Sequence, residues 1–225
     1  MMTYFAKLGF AAAATSATIA LAALFIPGRP LEAATTVPAA TLVEPAKNSR
    51  EIAVIAGGCF WGVEGVYEHV NGVLDVTSGF AGKSAGGASY ESVSTGTTGN
   101  AEAVRIIFDP RKVSYADLLR ILFSVVADPT EVNRQGPDVG PQYRTAIFPR
   151  NPSQVRVARA YIDQLNKAHV FARPIATKVE SGRFVEAEAY HQDFMRKNPH
   201  HPYVMAHDLA KLAELKRRFP ASWKA

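Results

Sequence analysis

Cysteine is the rarest residue type in this sequence, because Cys59 is the only one among 225 residues. A single cysteine excludes an internal disulfide, a cysteine-rich zinc site and a CxxC redox motif. The fold must therefore be stabilised by a hydrophobic core. A chain of this length can bury about 70% of the surface that its unfolded form exposes, so such a core needs neither a disulfide nor a metal.

Several binding motifs are also missing from the sequence. There is no P-loop for a phosphate group. His200, His201 and His207 lack the spacing of metal ligands on one helix face, so we interpret them as polar surface or local capping and expect no metal. The net charge is +5 and the sequence pI about 9.3, but Lys and Arg are spread along the chain. Nucleic-acid binding would require a basic face with interleaved aromatics, so we expect no nucleic-acid partner.

The N-terminal residues differ in composition from the rest of the chain. Lys7 is the only charged residue before Arg29, and residues 8–26 are apolar and small. This layout predicts a signal peptide or N-terminal anchor over residues 1–33, and hence an exported, periplasmic protein. Cleavage is favoured because polar residues interrupt the apolar stretch, and retention through residues 8–26 is the alternative. Residues 34–48, rich in Ala, Thr and Pro, are predicted to form a flexible linker. Residues 49–225 are predicted to be the catalytic domain.

The pattern of apolar residues within that domain predicts a mixture of strands and helices. Strands are expected over residues 51–56, 72–80, 101–109 and 143–148, with a short one within 174–180. Helices are expected over residues 60–70, 115–126, 152–169, 186–197 and 206–219. Two polar loops are long for connections: a glycine-rich one over 81–88 and a glycine- and threonine-rich one over 94–99. Such loops often line a site.

Cys59 is predicted to lie where a buried strand passes into a helix. Unpaired N–H groups at a helix start stabilise an anion, so the position is expected to lower the pKa of the thiol. The paired glycines before Cys59 would leave the backbone open to a second molecule, and Phe60 and Trp61 would form an apolar pocket beside the sulfur. A small buried core cysteine is the alternative, but these neighbours favour a functional thiol.

Four further residues that could carry chemistry are predicted to lie in loops or at their ends: the carboxylates Glu102 and Asp138, and the phenols Tyr90 and Tyr143. A solvated carboxylate is the commoner situation for a single glutamate such as Glu102. No histidine is close to Cys59 in sequence, since His69 falls at the far end of the same predicted helix. A Cys–His protease pair would therefore need a distant residue such as His191.

The stretch Gly-Cys-Phe-Trp-Gly-Val-Glu at residues 58–64 resembles the signature of the A-class peptide methionine sulfoxide reductases. Further blocks resemble the same family in the same order: residues 79–82, 89–93, 98–104, 128–130, 133–144 and 189–194. The resemblance covers about residues 50 to 220. Asn100, Phe80 and Pro141 replace the histidine, tyrosine and threonine that are usual in the family, and none of them is the cysteine or Glu102.

The resemblance implies an α+β fold, namely a two-layer α/β sandwich with an α-β plait (ferredoxin-like) core and a mixed sheet. It implies reduction of methionine S-sulfoxide, free or in proteins, with repair of oxidised proteins as the role. Cys59 would attack the sulfoxide sulfur and become a sulfenic acid. Glu102, kept protonated by burial, would act as the acid. The remaining site residues implied are Tyr90 and Tyr143 on the oxygen, Phe60 and Trp61 around the methyl group, and Asp138, Tyr190 and His191 in substrate binding.

The lack of a second cysteine departs from the many family members that carry resolving cysteines near the C-terminus. The resemblance therefore implies that an external thiol, a thioredoxin-like protein or a small thiol, reduces the sulfenic acid, and that no cofactor is bound. We expect a monomer. A disulfide between the Cys59 residues of two molecules is not expected either, because a Cys59 lying behind Trp61 should not meet a second active site.

Two other functions remain open at this stage. A thiol peroxidase or redox sensor would use the same sulfenic chemistry, but it would need a polar pocket where Phe60 and Trp61 predict an apolar one. A non-catalytic domain that binds oxidised methionine would have no need of an intact Cys59 and Glu102.

Overall fold

A six-stranded sheet forms the centre of the domain. The computed structural model describes residues 36–46, 48–84 and 86–225. The sheet strands are β1 (Glu51–Gly57), β2 (Val73–Gly82), β3 (Ala101–Phe108), β6 (Thr145–Ile147), β7 (Lys178–Val179) and β8 (Arg183–Glu186), and a separate hairpin contains β4 (Arg134–Gln135) and β5 (Asp138–Val139).

The sheet is mixed, with the spatial order β7-β6-β1-β3-β2-β8. The first two long strands, β1 and β2, each pair antiparallel with β3, which lies between them. Strand β6 is antiparallel to β1 and parallel to β7, and β8 closes the opposite edge beside β2. The predicted α+β class with a mixed sheet is confirmed at this level.

The helices pack around this sheet and are α1 (Phe60–Glu68), α2 (Tyr90–Ser94), α3 (Tyr115–Ile121), α4 (Pro152–Lys167), α5 (Phe194–Lys197) and α6 (Leu209–Arg218). A π-helical turn at Leu122–Val126 extends α3, and another at Val204–Asp208 precedes α6. Local sequence explains several helix starts. Ser89 and Ser114 form capping boxes, and Asn151 caps the helix that begins at Pro152.

The two faces of the sheet have different cores. Along β1, Ala53 and Ile55 belong to the larger core with α1 and α3, whereas Val54 and Ala56 belong to a smaller, alanine-rich cluster. This alternation follows from the two-residue period of a strand. The larger core therefore fixes α1, and with it Cys59, to the sheet.

The predicted helix over residues 186–197 is wrong. Glu186 is the last residue of β8 and pairs with Gly79 of β2. A 3-10 turn at Ala189–His191 follows, and Asp193 has a left-handed φ of 56° before the short α5. The side chain of Gln192 also binds the backbone N–H and C=O of Ser78. Sheet pairing and these long-range hydrogen bonds outweigh the local helical periodicity.

Residues 36–46, predicted as part of a flexible linker over 34–48, lie against the domain. Val37 is fully buried, and its N–H donates to Ser124 Oγ at 3.2 Å. Tyr161 donates to the Pro38 carbonyl at 2.6 Å, and Arg156 pairs with Glu44. A composition rich in Ala, Thr and Pro did not predict this docking, because the partners come from distant helices.

The predicted signal peptide or anchor, residues 1–33, lies outside the described residues. In the part of the chain that the structure describes, no helix is long and apolar enough to cross a bilayer.

Candidate active site

A sharp turn between β1 and α1 presents Cys59. Strand β1 ends at Gly57, Gly58 has a φ of +95°, and Cys59 is the N-cap of α1. A Cβ at position 58 would lie 2.8 Å from the side chain of Gln135. Glycine at 58 is therefore required twice, for its backbone conformation and for the close approach of the hairpin.

Glu102 lies across from this turn on β3, where it pairs with Phe80 of β2. Glu102 is 2% exposed, and its Oε2 accepts a hydrogen bond of 2.9 Å from the backbone N–H of Phe60. The alternative interpretation of Glu102 as a solvated carboxylate is therefore wrong. One of the free N–H groups at the start of α1 is thus paired with a buried carboxyl group adjacent to Cys59.

A pocket of about 220 Å³ joins these groups. Its lining consists of Cys59, Phe60, Trp61, Tyr90, Glu102, Asp138, Tyr143, His201 and Tyr203. Seven of the residues predicted for the site therefore lie together, although they come from five separate parts of the chain. The aromatic majority makes the walls apolar, and the carboxyl and phenol groups add a few polar atoms.

Both Cys59 and Glu102 hold their protons tightly. Burial raises the pKa of Glu102 to about 8, the Phe60 N–H opposes that rise, and the nearby charge of Asp138 adds to it. Burial also raises the pKa of the Cys59 thiol well above its usual value, and Glu102 and Asp208 raise it further. The expected lowering of the thiol pKa at the helix start is wrong, because burial outweighs the Trp61 N–H that favours the thiolate.

The phenols of the pocket are neutral donors. Burial raises the pKa of Tyr90, and of Tyr143 more strongly, with the charge of Glu102 as the next cause in both. Tyr90 begins α2 and Tyr143 ends a 3-10 turn at Pro141–Tyr143, so both belong to short helical elements rather than to loops. Each can donate its O–H to an acceptor in the pocket.

Tyr190 and His191 do not line the pocket. Tyr190 is 60% exposed and lies with its ring against His191. His191 is buried behind the aromatic wall, and its Nδ1 accepts a 3.0 Å hydrogen bond from Trp61 Nε1. Burial lowers the pKa of His191, so the ring is neutral and can accept this bond. The position of His191 makes it a support for Trp61, which also stacks on Phe194 with centroids 3.6 Å apart.

Two pocket residues were missed in the sequence. Tyr203 lines the pocket and donates its O–H to Asp138 Oδ2. His201, interpreted as polar surface, also lines the pocket and lies edge-on to Trp61 with centroids 5.7 Å apart. The one available signal was Tyr203, an aromatic residue in the otherwise polar, proline-containing stretch 198–203. A surface position in such a stretch would be expected to hold a polar residue.

Within the described residues no group of three or more His, Cys, Asp or Glu side chains is arranged to hold a metal ion.

Comparison with known proteins identifies the family. A family model described as "Peptide methionine sulfoxide reductase" matches residues 51–223, which is most of the chain. The chain belongs to the peptide methionine sulfoxide reductase family. It is therefore an oxidoreductase with methionine sulfoxide reductase activity.

Individual members of the family are similar over nearly their whole lengths. The chain is 51% identical over 179 residues to "Peptide methionine sulfoxide reductase MsrA 2" of Mesorhizobium japonicum, a match that covers 79% of this chain and 92% of that protein. Among solved structures, Mxr1 of Saccharomyces cerevisiae in reduced form matches with a TM-score of 0.62 at 28% identity, over 74% of this chain and 94% of that one. Methionine sulfoxide reductase A of Corynebacterium diphtheriae matches with a TM-score of 0.57 at 28% identity, over 78% of this chain and 94% of that one.

Proposed function

We propose that the chain reduces methionine S-sulfoxide, free or in oxidised proteins, through a sulfenic acid on Cys59. One observation carries the proposal: the only thiol and a buried, protonated carboxyl group, Glu102, line the same small pocket. A sulfoxide oxygen leaves sulfur poorly unless it is protonated or strongly hydrogen-bonded. An acid positioned beside the nucleophile can protonate that oxygen.

Cys59 and Glu102 together supply the nucleophile and the proton that the reduction needs. Cys59 attacks the sulfoxide sulfur while Glu102 gives its proton to the sulfoxide oxygen. The attack forms a bond between the two sulfur atoms. The oxygen, now a hydroxyl group, then moves to the Cys59 sulfur, and both the S–O bond of the substrate and the sulfur–sulfur bond break. The substrate sulfur thereby gains two electrons and the cysteine sulfur loses two. The thiol proton returns to Glu102. The products are methionine and the Cys59 sulfenic acid.

The other pocket residues suit the parts of the sulfoxide group. Phe60 and Trp61 offer an apolar surface for the methyl group. Tyr90 and Tyr143 can donate to the oxygen, where negative charge grows until the proton arrives. The Tyr203–Asp138 pair lies at the same pocket and would orient the remaining part of the substrate.

Recovery of the enzyme needs two equivalents of an external thiol. The first forms a mixed disulfide with the Cys59 sulfur and releases water, and the second releases the thiol of Cys59 together with the external disulfide. This route is proposed because the sequence contains no second cysteine. A thioredoxin-like protein or a small thiol would serve, and reduction of oxidised proteins gives the enzyme a role in repair.

Single-turnover stoichiometry tests the proposal. Without added thiol, one enzyme equivalent mixed with methionine S-sulfoxide should form about one equivalent of methionine and then stop. Dimedone should label Cys59 after the pulse and not before it, and the R epimer should give no product. Two equivalents of methionine per chain without a reductant, or equal turnover of both epimers, would contradict the mechanism.

The proposal also covers the location of the protein, its oligomeric state and the topology of its core. Export to the periplasm is supported by the apolar residues 8–26, and mass spectrometry of the mature N-terminus tests it. A monomer is proposed as well: the burial of Cys59, which is 9% exposed, argues against a disulfide-linked dimer, and a non-reducing gel after the pulse should show no dimer band. An α-β plait at the core is supported by the order β6-β1-β3-β2 with antiparallel neighbours.

A further inference from the structure

A buried ion pair lies against the helix that carries Cys59. Asp208, from the π-helical turn before α6, is fully buried, and its Oδ1 accepts from Lys211 Nζ at 3.2 Å. Asp208 Oδ2 is also buried and has no hydrogen-bond partner among the described residues. Neither residue lines the pocket, so the sulfoxide mechanism makes no direct use of them.

Gly62 makes the room for this pair. A Cβ at position 62 would lie 2.1 Å from Asp208 Oδ1 and 2.9 Å from Lys211 Nζ, so any side chain there would displace both. Glycine is disfavoured inside a helix. The contact with Asp208 and Lys211 explains why glycine nevertheless occupies position 62 of α1. The carboxylate thus occupies the space in which the side chain of residue 62 would otherwise begin.

This position places the charge near the thiol. Cys59 is the N-cap of α1 and Gly62 is its third helical residue, so both belong to the first turn of the helix. The Asp208 carboxylate, which lies against the Cβ position of residue 62, is therefore beside that turn. In such a position inside a protein, a unit charge changes the ionisation of a thiol.

The two charges differ in how strongly water screens them. The Asp208 side chain is fully buried, whereas that of Lys211 is 17% exposed. Burial raises the pKa of Asp208 itself, and Lys211 opposes that rise. Once Asp208 is ionised, its charge should dominate, because a buried charge is screened less than one in contact with water. The two effects on the thiol agree with this comparison, because Asp208 raises the pKa of Cys59 and Lys211 lowers it by a smaller amount.

We propose that Asp208 and Lys211 are positioning residues that set the reactivity of Cys59, with Asp208 holding the thiol protonated and Lys211 limiting that effect. This inference rests on the proposed function only where it concerns the reaction of Cys59 with a sulfoxide. A thiol that stays protonated in the free enzyme resists oxidants and alkylating agents, and it reacts when the sulfoxide occupies the pocket.

Other groups also act on the thiol and must be held constant in any test. The titratable or charged side chains that influence Cys59 from the surrounding elements are Glu102, Tyr90, Tyr143, Tyr203, Asp208 and Lys211. Asp138 and His201 line the same pocket. Changing only Asp208 or Lys211 leaves all of the pocket-lining groups in place.

The experiment measures the rate of Cys59 alkylation by iodoacetamide from about pH 7.5 to pH 10. Far below its pKa, the thiolate fraction changes tenfold for each unit of pKa. Asp208→Asn should therefore react about 3- to 10-fold faster at a fixed pH, and Lys211→Gln about 2- to 3-fold slower. Asp163→Asn, on the exposed side of α4, is the matched control and should leave the rate unchanged.

Opposite signs separate this proposal from a merely structural ion pair. Loosening of α6 would expose Cys59 in both variants and speed both reactions, so a faster Lys211→Gln would overturn the proposal. An unchanged rate in Asp208→Asn would overturn it as well. If Asp208→Asn does not fold, as thermal unfolding would reveal, the sign of Lys211→Gln decides alone. Because alkylation needs no sulfoxide, a failure here is distinct from failure of the parent enzyme to reduce methionine sulfoxide.

Discussion

The two walls of the pocket are built in different ways. One wall contains Cys59 and Phe60, at the β1–α1 turn, and Glu102, on β3. The other contains Asp138, from the small hairpin, and Tyr203, from the segment before α6. The first wall is held by the central sheet and its core. In the second, Tyr203 donates a hydrogen bond to Asp138, and these two residues are 65 positions apart in the chain.

The difference assigns separate tasks to the walls. The nucleophile and the acid belong to the sheet-bound wall, where the Phe60 N–H fixes the Glu102 carboxyl at 2.9 Å. Groups that must meet in a transition state need this kind of rigid support. The second wall carries a phenol and a carboxylate that come from connecting segments outside the long strands of the sheet. We therefore expect changes in the first wall to lower the rate constant of the chemical step, and changes in the second to weaken binding.

The largest loss is expected for Cys59→Ser, because a hydroxyl at its ordinary pKa is a poor nucleophile for sulfur. The chain has no second cysteine to take over. Methionine formation with excess thiol should be undetectable in a chromatographic assay. Turnover above about one per cent of the parent rate would exclude Cys59 as the nucleophile, given the size of nucleophile contributions.

The next effect is expected for Glu102→Gln, which removes the acid and keeps the shape. The single-turnover rate should fall roughly 10²- to 10⁴-fold, while iodoacetamide still alkylates Cys59. In the parent, the sulfoxide step should slow as the pH rises through about 8, because Glu102 donates only below its raised pKa. A mutant that stays within about threefold of the parent rate would refute the role of the acid.

Tyr203→Phe should have a smaller effect and should act on binding. It removes the O–H that Asp138 accepts, and a hydrogen bond to a charged group contributes about 1.5–3 kcal/mol. The expected result is a rise in KM of roughly tenfold or more, with kcat changed less. Tyr190→Phe is the control, since that ring is exposed and outside the pocket. A loss confined to kcat would mean that the second wall takes part in the chemistry.

His191→Phe should have the smallest effect of the four. The substitution keeps an aromatic ring but removes the acceptor for Trp61 Nε1, a neutral hydrogen bond of about 1 kcal/mol. A rise in KM of roughly fivefold is expected, with a change in Trp61 fluorescence. His200→Phe, on the exposed surface, is the control. Unchanged fluorescence together with an unchanged KM would show that Trp61 needs no support from His191.

The sequence was informative wherever a feature is local. The strand before Cys59, the glycine turn and the helix after it follow from short-range patterns, and the structure has them at 51–57 and 60–68. Tyr203 and His201 were missed because their place in the pocket depends on the tertiary path of residues 190–208. The helix predicted over 186–197 failed for the same reason, since pairing of β8 with β2 decides that segment.

Electrostatics was the other failure of sequence reasoning. A cysteine at a helix start indicates a lowered pKa, yet the pKa of Cys59 is raised. The helix terminus acts on a thiol only as far as burial and neighbouring carboxyl groups allow, and neither can be read from the local motif. The same burial raises the pKa of Glu102, so the feature that opposes the thiolate also provides the acid.

The central claim is that the free enzyme keeps a proton on Glu102 near neutral pH, and infrared difference spectroscopy tests it most directly. Spectra of the parent minus Glu102→Gln at about pH 6.5 remove the contributions of the other buried carboxyl groups. We predict a protonated carboxyl C=O band that disappears from the parent as the pH rises through about 8. A carboxylate band assigned to Glu102 already at pH 6.5 would contradict the account.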